Sequence, residues 1–220
     1  PVRSPADDGC QAGTVGRVNA MMGLDARLKQ ARIGVVIGVD SPERIAEVGS
    51  GLARSRVDLV VLDATGADRE DFLRGFAGLR RAVGTHTIAG VLAPADLASV
   101  ARADLVVDLR VRPHAHCLKL GRVTTIAEFD ACDADAIVIP EGLIPHAIRT
   151  APATQLAAKP WFVDLTDPTL ASRTILAGAR RLWLHGLTGQ QIPVLREELS
   201  SAWKTDMGPV ALGGWNWRRG

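Results

Sequence analysis

The sequence contains no tyrosine and only four phenylalanines, so there is little from which to build a surface that stacks exposed bases on aromatic rings. Lysine is also scarce, at four residues (Lys29, Lys119, Lys159, Lys204), and no basic stripe marks any segment. With 26 Lys and Arg against 24 Asp and Glu the formal charge is +2, and no nucleic-acid partner is expected. The three cysteines (Cys10, Cys117, Cys132) are an odd number without a CxxC pair. That argues against a disulfide framework and for a reducing, cytoplasmic setting. No apolar run approaches the roughly 18 residues of a membrane span, and residues 1–19 lack the apolar stretch of a signal peptide. No strand-like run leads into a GxGxxG turn, so a dinucleotide site has no support and no cofactor is expected.

What is present is apolar material in a regular rhythm. Hydrophobic residues make up 47% of 220, enough for one well-buried core. Short branched runs recur at 33–39, 57–62, 86–92, 104–109, 117–120, 136–139, 161–163 and 181–185. Each is nearly continuous in apolar residues, as parallel strands covered on both faces require. Helix starts stand between them: Ser41-Pro42, Asp68, Pro94, Thr125, Asp167-Pro168, and Gly189 with Pro193 in the first turn. Met21, Leu24, Leu28 and Ala31 are spaced to share one face of a short helix. The spacing predicts a leader with a short helix (1–30), a (β/α)8 TIM barrel (31–205) and a tail (206–220) carrying Trp215, Trp217, Arg218 and Arg219. Eight units favour a closed barrel over an open doubly wound sheet.

Several runs also resemble one family. KPWFVDLTDPTLASRTILAGARRLWLHGLT (159–188) is similar to strand 7, helix 7 and strand 8 of the thiamin phosphate synthase and thiazole tautomerase superfamily. VDLVVLDATG (57–66), APADLASVARADLVVDL (93–109) and LKLGRVTTIAEFDACDADAIVIP (118–140) continue the register upstream. The resemblance implies a compact barrel, and a synthase would use Mg²⁺ to assist departure of pyrophosphate. It also implies losses. The family's Gln-x-Arg-x-Lys pattern on strand 2 falls on Val61, Asp63 and Thr65, and its Asn-Asp-Arg falls on Leu92, Ala93 and Pro94. The second metal-ligand Asp falls near Arg112, and the Gly-Gly phosphate turn on Asp164-Leu165-Thr166. Arg122, Gly186 and Thr188 keep family-like character, while the tautomerase proton shuttle falls close to Glu141, with His146 five residues on.

The expected rim therefore holds Asp40, Asp63, Arg110, Arg122, Glu141, Asp164, Thr166, His185, Gly186 and Thr188. Glu141 and His185 are the candidate catalytic residues, with His185 pairing with either Glu141 or Asp164, and the others are candidate contacts for a small polar or phosphorylated ligand. The bland alternative is a self-neutralising cluster left from a lost active site, with Glu141 in a solvent-facing loop. The reading is a barrel lacking the family's metal and diphosphate residues and acting by binding or as a scaffold. The rival is an active thiamin-pathway enzyme with a divergent site. His114, His116 and Cys117 form one local ligand-like set without a second motif, so no metal is expected. His86 reads as a hydrogen-bonded core or rim residue.

Only residues 110–116 separate strands 4 and 5. Such a segment reaches roughly 23–25 Å, enough to return along a five-residue strand of roughly 16–17 Å only without a helix. A missing helix there would uncover apolar residues such as Leu105, Val107, Leu118 and Leu120. The expectation is a homodimer or protein partner over that face.

Overall fold

The computed structural model describes residues 23–38, 41–109, 112–152, 158–186 and 189–207. Asp40, Arg110, Thr188, the leader up to residue 22 and the tail with its tryptophans and arginines lie outside the described residues. Eight parallel strands close into a barrel in sequence order. They are β1 (Ile33–Gly38), β2 (Leu59–Asp63), β3 (Ile88–Leu92), β4 (Leu105–Val107), β5 (Leu118–Arg122), β6 (Ala136–Ile139), β7 (Trp161–Leu165) and β8 (Leu182–His185). The helices are α1 (23–30), α2 (Pro42–Arg54), α3 (Arg69–Val83), α4 (Ala95–Ala101), α5 (Ile126–Ala131), α6 (Ile144–Thr150), α7 (Ala171–Leu176) and α8 (Ile192–Met207).

The helix starts follow the cap chemistry in the sequence. Ser41 accepts from the Arg44 amide with Pro42 in the first turn, and Asp68 accepts from the Glu70 and Asp71 amides. Thr125 and Glu128 form a reciprocal capping box at α5. One stretch differs from expectation: after β6 the chain is not a loop but a 3₁₀ turn (Glu141–Leu143) running into α6. Pro140 and Pro145 obscure the pattern. Pro145 sits in the first turn, where a missing N–H costs nothing. Leu143, Ile144 and Ala147 are buried and hold the helix down.

The strands sort their side chains between two cores. One parity, with Val35, Val60, Val91, Val106 and Val163, packs against the helices. The other fills the lumen, with Val36, Val61, Leu105, Val107, Phe162 and Trp183. Gly34 makes room for Trp183: a Cβ there would stand 2.7 Å from Trp183 Cε3. Leu24 and Leu28 of α1 and the following Ala31 join the lumen cluster, so α1 plugs the barrel's N-terminal end.

Between β4 and β5 none of the described residues is helical. The consequence drawn from that gap needs correcting, however. Leu105, Val107, Leu118 and Leu120 point into the lumen and are at most 3% exposed. The outward positions are Val106 and Lys119, and the chain covers them itself. Lys119 Nζ donates to Asp133 at 2.9 Å, and Arg112 joins Asp135 at 2.7 Å and the Cys117 carbonyl at 2.9 Å. Burial pushes the Cys117 thiol up to about 12. The apolar face invoked for a partner is not exposed, because the period-two alternation sends those leucines and valines inward.

Candidate functional site

The C-terminal ends of the strands meet at one mouth of a parallel barrel, the usual place for chemistry in this architecture. Asp63 ends β2, Arg122 ends β5 and His185 ends β8. The register sets Asp63 beside Leu92, Asp164 beside Trp183 and His185 beside Val36, the parity that faces the lumen. Asp63, Arg122 and His185 are thereby brought together around a cavity of about 30 Å³, floored by Val36, Val61 and Trp183. That is room for about one or two waters, far below the ~300–1,000 Å³ of ordinary ligand pockets.

The charges at this mouth are engaged with their neighbours. His185 Nε2 lies 2.8 Å from Asp164 Oδ1. Arg122 donates through its backbone N (2.8 Å) and Nε (2.5 Å) to the carboxylate of Asp108. Asp108 adopts a left-handed backbone at φ +59°, which a short polar side chain tolerates better than most. Asp63 accepts from the Thr65 amide at 2.9 Å and its hydroxyl at 2.6 Å, closing its own turn. Sequence reasoning missed Asp108. The signal available was a carboxylate directly after a strand that no helix follows.

Other expected site residues are not drawn into this cavity. Glu141 opens the 3₁₀ turn after β6 and pairs with Arg173 at 3.7 Å, so the structure gives His185 the Asp164 partner and not Glu141. His146 lies on α6 against Asp130 and the edge of Phe129. Thr166 is exposed beyond β7, next to Asp167, which caps the turn before α7. Gly186, at φ +64°, lines a different cavity of about 420 Å³ between the end of β1, α2 and Gly189. Arg44 and Arg54 also face that cavity. Arg44 pairs with Glu47 at 3.5 Å, while Arg54 has no partner among the described residues. His86 is exposed in the turn before β3 and is not a core residue, since the strand starts two residues later.

The residues at the family's metal positions do not fit Mg²⁺. Ala93 offers no oxygen from its side chain, and Arg112 is a cation already paired with Asp135. His114 turns to the Ala103 carbonyl, and among the described residues no three His, Cys, Asp or Glu gather as a metal set.

Fold and mouth together define a TIM barrel whose described rim side chains bond to their own neighbours. No protein-family model matches this sequence, and no curated protein sequence does. Solved structures do. A thiamine phosphate pyrophosphorylase from Pyrococcus furiosus superposes with a TM-score of 0.62 at 10% identity, over 81% of this chain and 99% of its own. A native KDPGal structure gives 0.55 at 16% identity, over 80% and 95%. A cube-shaped, porous protein cage designed by fusing symmetric oligomeric domains gives 0.60 at 17%, over 83% and 77%. At such identities the likeness is one of fold, which hosts many chemistries.

Proposed function

We propose that this chain is a thiamin phosphate synthase-like barrel that has lost synthase chemistry and works by binding. The observation that carries this reading is the closed mouth. Its cavity of about 30 Å³ cannot seat a pyrimidine diphosphate and a thiazole phosphate together. The one guanidinium among its described lining, Arg122, is held by Asp108, and the phosphate turn is replaced by Asp164, Leu165 and Thr166. Each lost charge-assisted contact removes about 1.5–3 kcal/mol, so several together remove most transition-state stabilisation. A cytoplasmic location belongs to the same proposal, supported by free Cys117 and Cys132.

The test is turnover of the two substrates with Mg²⁺ by the purified chain. No product is expected, and rates of about 1 per second or more would overturn the reading. A second reading has one observation in its favour. The 420 Å³ cavity joins Gly38, Gly186 and Gly189 to Arg54, which has no partner among the described residues, a place where a phosphate could be held during tautomerase-type chemistry. Soaking with thiazole phosphate separates the two. Anion density beside Gly186, with activity lost in Glu141→Gln or His185→Ala, favours the enzyme.

A further inference from the structure

The opposite end of the barrel carries a larger and differently charged opening. A cleft of about 730 Å³ lies under the N-terminal ends of the strands, between α1, the start of β1 and α8. Arg27 and Lys29 face it from α1, Arg32 from the residue before β1, and Arg196 and Trp203 from α8. A neighbouring cavity of about 460 Å³ shares Arg196 and adds Arg56. The single carboxylate in either lining is Asp58, while Asp25 of α1, outside the linings, pairs with Lys29 at 2.9 Å.

That carboxylate is already saturated. Asp58 Oδ2 accepts from the Arg32 and Ile33 amides at 2.9 and 3.0 Å and meets Arg196 Nη2 at 2.9 Å. Arg196 Nε is buried with no partner among the described residues. Arg32 and Arg181 both stand over the ring of Trp203, at 4.9 and 5.1 Å from its centroid. Burial, with the neighbouring Arg32 charge, lowers Arg181 to about 10. The chain as a whole carries only +2, yet the linings of these two openings hold four more cations than anions. Like charges held this closely are relieved by an anion from outside.

The leader balances Asp7 and Asp8 with Arg3 and Arg17, and residues 208–220 bear two arginines and no carboxylate side chain. A concave opening of this size suits a small molecule, and guanidiniums on three separate elements suit several oxyanions at once. We propose that this cleft binds a small soluble molecule carrying two or more phosphate groups. Arg32 stacked on Trp203 forms its wall, with Arg181 buried behind the ring, and Arg27, Lys29 and Arg196 contact the phosphates.

The experiment is calorimetric titration of the full chain with inorganic tripolyphosphate at low and moderate salt. Saturable binding at one site is expected, weaker at higher salt and weakened at least tenfold in Arg196→Gln. Because Arg196 also holds Asp58, the double variant Arg27→Gln/Lys29→Gln provides a second reading on side chains outside the core. It should weaken binding at least threefold with unchanged thermal unfolding. Arg54→Gln, in the other cavity, should bind like the parent. Absence of saturable binding, binding undiminished in both cleft variants, or binding lost in Arg54→Gln would each overturn the proposal. Synthase turnover would overturn the reading of the other mouth and leave this one standing.

Discussion

At the C-terminal mouth Asp108 and Asp164 meet Arg122 and His185 while Asp63 bonds within its own turn, whereas the N-terminal cleft is lined by Arg27, Lys29, Arg32 and Arg196 with Asp58 as the one carboxylate in its lining. The mouth where barrel enzymes keep their chemistry is the tighter one, and the face usually given over to stability is open. The contrast shows that strand-end position predicts which side chains meet, but not whether they remain available. Asp63, Arg122 and His185 do meet, and local carboxylates and hydroxyls take up their bonding capacity.

Trp183 gives the strongest way to break the comparison. It fills the lumen at 1% exposure, and Trp183→Ala should cost about 3–5 kcal/mol, read as a lower urea midpoint with the mouth cavity enlarged. Trp183→Phe, which deletes an indole N–H that has no partner, should cost clearly less. A mild Trp183→Ala would show a loosely packed mouth and undermine its closure. Next comes Arg181, 5% exposed and donating to the carbonyls of Ala31 and Lys29. Arg181→Met leaves both carbonyls short of a donor, at about 2–4 kcal/mol together, and should loosen α1 in hydrogen exchange.

The mouth pairs should matter much less. His185 and Asp164 are each about one-third exposed, so His185→Ala should change stability by under about 1 kcal/mol. A larger loss would mean that the pair is structural and not a remnant. The smallest effect concerns the first turn of α5, just beyond the end of β5. Hydrogen bonds from Thr124, followed by those from Thr125, hold the Glu128 carboxyl below its usual range. Its contribution is present above the unfolded value of about 4.3 and is lost as pH falls through the lower folded value. Acid titration of Glu128→Gln should therefore lack that part of the parent's loss of stability.

Much of the barrel is legible in the sequence. The eight apolar runs overlap all eight strands because strands buried on both faces need nearly continuous branched side chains. Caps at Ser41, Asp68, Thr125 and Asp167 mark helix or turn starts through bonds made within a few residues. α6 carries none of the start signals read from the sequence, and burial of Ile144 and Ala147 is what holds it as a helix. The direction of Leu105 is equally hidden. In Leu105-Val106-Val107 composition does not reveal which parity faces the lumen, although Lys119 between Leu118 and Leu120 does mark the outward side of β5.

The site divides along the same line. Asp63, Arg122, Asp164 and His185 can be placed near the rim from strand ends alone, since chain direction fixes which mouth each strand end reaches. Their partners depend on closure. Asp164 meets His185 because β7 lies beside β8, and Asp108 meets Arg122 because β4 lies beside β5 with no helix between. The N-terminal cleft has no local signature. Arg27, Arg32, Arg196 and Trp203 are scattered along the chain, and only α1 and α8 folding under the same strands bring them together. Periodicity and caps act over a few residues and set the elements, whereas charge neutralisation acts through space and is decided only when the barrel closes.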